Sequence, residues 1–119
     1  MNATEAMGTF TGQVWLDRVI TPPGAPLTVS NVSFSPCART NWHWHENGQL
    51  LRVMAGSGWI CDKGQKPKRI NTGDTIWCPA GTVHWHGADD DSFMMHQVTT
   101  LGETKWFEPV TNEEYGTKH

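Results

Sequence analysis

Basic residues are scarce in this chain: nine lysines and arginines stand against twelve acidic residues, for a formal net charge of −3. No basic stripe is available to neutralise a phosphate backbone, which excludes nucleic acid as a partner. Long apolar runs are missing too. No stretch approaches the roughly 18 consecutive apolar residues of a membrane helix, so no membrane association is expected. The first ten residues lack a basic segment leading into an apolar one, and no secretory signal is expected. Cysteine is sparse: Cys37, Cys61 and Cys78 are an odd number without a Cys-x-x-Cys pair. That argues against a disulfide framework and for a reduced, cytoplasmic chain. Glycine-rich phosphate loops are absent, because the glycines stand at turns rather than ahead of a helix.

Helical periodicity is almost absent, while short runs of strand-forming residues alternate with Gly and Pro turns. Phe10 to Val19, Leu27 to Ser35, Arg39 to His45, Gln49 to Ala55, Trp59 to Asp62, Lys68 to Asn71, Thr75 to Cys78, Thr82 to His86 and Phe93 to Thr100 read as strands. Glu103 to Val110 reads as a last extended segment. Thr111 followed three residues later by Glu114 is a capping-box pattern for a short terminal helix. At 119 residues the expectation is one all-β domain, a sandwich or barrel over residues 10–119, preceded by a loose tail over residues 1–9. Seven tryptophans against a single tyrosine supply bulky core filler or aromatic pocket walls.

The chemistry concentrates in His43-Trp44-His45. Side chains alternate along a strand, so His43 and His45 share a face and Trp42 and Trp44 take the other. Glu46-Asn47-Gly48 turns the chain, and antiparallel return brings Gln49 back beside the histidines. A second strand carries His84 just after Pro79-Ala80-Gly81. Three imidazoles and one carboxamide oxygen form a four-ligand set with open positions for water or substrate. Imidazole suits Fe, Ni, Cu, Zn and Mn, and a carbonyl oxygen leans toward the harder ions. Mn²⁺ or Fe²⁺ is the expected occupant, with Ni²⁺ and Zn²⁺ as alternatives. By the same parity Ser30, Val32 and Phe34 share one face, and Met94, His96, Val98 and Thr100 share another; these are the expected walls of a pocket.

The spacing from Cys37 through Gly56, and from Gly73 through His84, resembles the two motifs of the cupins. In the first, Cys37 stands where the family has Gly, followed by His43, His45, Gln49 and Gly56. The second is Gly73, Pro79, Gly81 and His84, with Ala88 in an Asn position. The chain departs from the pattern at Cys37, at Ala88 and at Gln49, which replaces Glu. Only the last touches the ligand set. A carboxylate would cancel one charge of the metal and Gln cancels none. The site therefore favours Lewis-acid and proton-transfer chemistry over the higher oxidation states of oxygen activation.

Thr11-Gly12-Gln13, Ala38-Arg39-Thr40, Trp42-His43, His84-Trp85-His86-Gly87-Ala88 and Val110-Thr111 to Tyr115 resemble, more narrowly, the small manganese-dependent cupin hydroxynitrile lyases. The resemblance implies a jelly-roll-like β-barrel, a homodimer, Mn²⁺ on His43, His45, Gln49 and His84, and His96 as the base that takes the hydroxyl proton of a cyanohydrin. It leaves His86 open, either beside the ligands or at the surface. The alternatives carried forward are an isomerase, decarboxylase or tailoring enzyme on another small oxygenated molecule, an iron-dependent oxygenase, and a binding module without turnover.

Overall fold

The structure is a computed structural model that describes residues 4–6 and 8–118. Among the described residues twelve strands follow one another: β1 (Thr4–Ala6), β2 (Phe10–Thr11), β3 (Val14–Ile20), β4 (Leu27–Phe34), β5 (Arg39–Thr40), β6 (His43–His45), β7 (Gln49–Asp62), β8 (Lys68–Asn71), β9 (Thr75–Cys78), β10 (His84–Ala88), β11 (Met94–Leu101) and β12 (Thr104–Trp106). All pairings are antiparallel. One face of the barrel runs β1-β3-β4-β11-β7 with β9 on the far side of β7. The other is built from β8, the second half of β7, β10, β5, β6, β2 and β12.

β7 joins the two faces. The sequence suggests two strands separated by Gly56-Ser57-Gly58, but the chain stays extended through these residues and changes sheets there. The glycines permit this. Gly56 has φ +72, and a Cβ at Gly56 or Gly58 would collide with the carbonyl oxygens of Phe93 and Gly87 respectively. A turn composition is thus used to bend a strand.

The inward faces bury Val14, Val32, Phe34, Leu51, Val53, Ile60, Ile70, Met94 and Val98 in one cluster. A second cluster of Trp42, Trp59, Cys61, Trp85, Val110 and Tyr115 lies outside the second sheet. The helix α1 (Asn112–Gly116) covers it, capped as the sequence predicts: Thr111 Oγ1 accepts from Glu114 N at 3.0 Å, and Glu114 Oε1 accepts from Thr111 N at 3.0 Å. Most tryptophans therefore pack away from the histidines. Arg39 is buried in the same region, donating to Val110 O at 2.8 Å and to Asn112 Oδ1 at 2.9 Å, a structural role. One expectation is corrected at the N-terminus. Residues 4–6 of the supposed tail form β1, with Thr4 opposite Leu16 and Ala6 opposite Val14. The remainder of that tail before residue 4, and Met7, fall outside the described residues.

Candidate metal centre and active site

His43 and His45 point inward from β6, and His84 points inward from β10, directly opposite His43 in the register. One potential ligand atom from each of the three lies within 4.8 Å of the others. Each ring is held by its Nδ1. His43 Nδ1 meets Asn41 O at 2.8 Å, His84 Nδ1 meets Thr82 O at 3.0 Å, and His45 Nδ1 meets Thr104 Oγ1 at 2.9 Å. A carbonyl accepts only, so His43 and His84 carry their protons on Nδ1 and keep Nε2 as a bare lone pair. That arrangement, in which an outer hydrogen bond fixes the tautomer, is what a metal-ligating imidazole requires.

Gln49, first residue of β7, lines the same cavity as His43 and His45. Its Nε2 donates to Thr100 Oγ1 at 2.9 Å, which turns Oε1 the other way. His45 Nε2, His84 Nε2 and Gln49 Oε1 are all buried with no hydrogen-bond partner. Buried polar atoms are seldom left so; the three-histidine cluster with its unpartnered nitrogens, and Gln49 beside His45, fit a divalent cation. Burial depresses the pKa of every histidine here. It is the leading cause at His43, whose pKa falls well below 6.5, at His84, and at His45, where the value drops to about 4. Neighbouring imidazoles reinforce the effect at His43 and His45. The rings are neutral at neutral pH, the form that binds metal.

Beside this cluster lies a cavity of about 260 Å³. His43, His45, Gln49, His86 and His96 line it, together with Ser30, Val32, Val98 and Thr100 of the expected walls. Phe34 and Met94 do not line it. Both are almost completely buried in the core, where the Phe34 ring packs 5.0 Å from that of His96 and 6.0 Å from that of His86. Strand parity placed them on the inward face, where they pack into the apolar core cluster rather than against the cavity. Phe10, Leu16, Arg18, Thr104 and Trp106 also line the cavity; they come from strands whose placement depends on long-range pairing and went unnoticed in the sequence.

His86 is resolved by the geometry. Its Nδ1 lies 3.0 Å from His96 Nε2, and both rings are buried. His86 Nε2 and His96 Nδ1 are left without partners. Burial drives the His96 pKa down to about 3 and the His86 pKa well below 6.5, so both are neutral. Two neutral imidazoles joined by one hydrogen bond have a fixed consequence: one outer nitrogen is bare and the other carries a proton. The pair can therefore accept a proton at one end and release one at the other. β7 bears a bulge at this point, where the register opposite β11 shifts between Met95 and His96; bulges re-aim side chains beside active sites.

The fold and these residues define a small β-barrel with a buried histidine cluster open to a cavity. The chain belongs to the cupin family, whose domain matches residues 30–99. It is 40% identical over 111 residues to an (R)-mandelonitrile lyase of Granulicella tundricola, covering 89% of this chain and 85% of that one. A cupin-like protein from Thermotoga maritima superposes with TM-score 0.91 at 34% identity, covering 94% of this chain and 90% of the other. The fold is shared with a polyketide cyclase of Streptomyces resistomycificus, with TM-score 0.69, 20% identity and coverage of 86% and 75%.

Proposed function

We propose that this protein is a metal-dependent small-molecule lyase that cleaves or forms cyanohydrins. Mn²⁺ would be held by His43, His45, Gln49 and His84, with His96 as the catalytic base. The observation that carries the reading is the pairing of orphaned ligand atoms with a buried imidazole couple in one cavity. The mandelonitrile lyase relative supports the reaction class. When bound, the cation supplies Lewis-acid polarisation of a substrate oxygen.

The chain's own residues do the rest. As base, His96 would present Nδ1 as the bare outer nitrogen of the couple, its Nε2–H donating to His86 Nδ1, and that nitrogen takes the cyanohydrin hydroxyl proton. The O–H electron pair becomes the second bond of the carbonyl, the C–C bond to the nitrile carbon breaks, and cyanide leaves with the former C–C bonding pair. The couple then returns a proton to give hydrogen cyanide, so no net charge is created. Val32 and Val98 line the cavity with apolar surface that would limit water there.

The homodimer is also a proposal. Trp15, Leu50, Met54 and Trp77 expose large apolar area on the outer face of the first sheet, with Leu50 and Trp77 paired across β7 and β9. A cytoplasmic setting is proposed on the three free thiols. No described helix is long and apolar enough to cross a membrane.

The deciding experiment is cleavage of mandelonitrile by manganese-loaded protein, followed by release of benzaldehyde. Turnover above the buffer rate is expected. Oxygen consumption with Fe²⁺ and no cyanohydrin cleavage would replace this reading with an oxygenase.

A further inference from the structure

Along β3 the inward positions are Val14, Leu16 and Arg18. The first two are apolar, as a barrel interior demands; the third is a guanidinium. Arg18 lines the cavity at its solvent-exposed mouth. Among the described residues its guanidinium has no hydrogen bond and no ion pair, whereas those of Arg39 and Arg69 each have partners. No aspartate or glutamate lines the cavity, so Arg18 is its single formal charge among the lining residues. Three neutral imidazoles and a carboxamide would leave a bound divalent cation uncompensated. The lining thus holds no anion to balance either Arg18 or such a cation.

We propose that the molecule this cavity takes is a small organic carboxylate, with its reacting oxygen at the histidine cluster and its carboxylate against Arg18. The inference rests on the proposed reading of the cluster as a metal centre and names the substrate class for it. The guanidinium fork matches a carboxylate with two parallel hydrogen bonds. Ser30, directly opposite Arg18 in the register, adds a hydroxyl at the same level. Arg18 and the histidines His43 and His45 line one cavity from different strands, so a single small molecule can meet both, and Arg18 is a specificity-determining residue.

The test uses 4-(hydroxymethyl)benzoate and its uncharged twin 4-(hydroxymethyl)benzamide, titrated calorimetrically into manganese-loaded protein. Wild type is expected to bind the carboxylate about tenfold or more tighter than the amide, the worth of a charge-assisted pair. Arg18→Gln and Arg18→Met are both expected to lose that preference. Equal binding of the two probes by wild type overturns the proposal, as does binding of neither. A preference that survives in both variants also overturns it, because the cation alone would then be reading the charge. Mandelonitrile cleavage is followed on the same wild-type sample. Its absence contradicts the cyanohydrin reaction and leaves the Arg18 result standing, whereas equal probe binding contradicts Arg18 alone.

Discussion

His96 Nε2 and His86 Nδ1 share one hydrogen bond of 3.0 Å in the interior of the barrel, two residues along β10 from His84. His96 is thereby tied to the histidine cluster without belonging to it. Removing its ring should remove the proton transfer and leave the ligands in place. For His96→Ala, kcat on mandelonitrile is expected to fall by about 10²-fold or more, the usual contribution of a positioned base. Metal content, measured by inductively coupled plasma mass spectrometry, should match wild type. Full activity in this variant would remove His96 from the mechanism.

The same ring sets a pH dependence of stability. Burial holds the His96 pKa near 3 against 6.5 for an ordinary histidine. The unfolded chain therefore binds the proton first as pH falls. The contribution of the neutral ring is fully present above pH 6.5 and is lost progressively between pH 6.5 and about 3, by up to about 1.4 kcal/mol per pH unit. Urea unfolding of metal-free protein at pH 7.5 and pH 5 should show wild type losing more stability than His96→Leu. Equal losses would mean that the ring is not buried neutral.

Cys37 departs from the cupin pattern, and its backbone records why glycine is usual there: φ is +70. An L-residue in this left-handed region costs about 1–2 kcal/mol, partly offset by the extra unfolded-state freedom of glycine. The Cys37 side chain gains only a long contact to Asp90 O at 3.9 Å. Cys37→Gly is expected to stabilise the protein by about 1 kcal/mol and to raise Tm by a few degrees. Differential scanning calorimetry checks this; a lower Tm would show that the thiol does more than the geometry implies.

The three thiols should react unequally. Cys37 is exposed, while Cys61 and Cys78 are buried. Burial raises the Cys61 pKa and lifts that of Cys78 to about 12, so neither supplies thiolate at neutral pH. Native protein treated with iodoacetamide at pH 7.5 should be modified at Cys37, with Cys61 and Cys78 labelled only after denaturation. Peptide mapping reads the sites directly.

Much of this was legible in local pattern. Alternation alone puts His43 with His45, and Met94 with His96 and Val98, on inward faces. The capping box at Thr111 and Glu114 marked the terminal helix α1. Three kinds of feature escaped local reading. β1 is a three-residue edge strand held by pairing with β3, with no propensity signal of its own. The Gly56-Ser57-Gly58 run looks like a turn, and only the collision of a side chain with Phe93 and Gly87 shows why glycine is needed in a continuous strand. The partner of His86 lies ten residues away on a strand that does not adjoin its own, so the couple exists only in the closed barrel. Arg18 belongs with these: its inward parity was readable, but the cavity it faces was not.

The central claim is that His43, His45, Gln49 and His84 close around one divalent cation. Manganese titration of metal-free protein, followed by electron paramagnetic resonance of unbound Mn²⁺, measures this directly. Wild type is expected to take up one equivalent per chain, and His43→Ala and His84→Ala to take up none while retaining the far-UV circular dichroism of a folded barrel. Undiminished uptake by both folded variants would contradict the assignment.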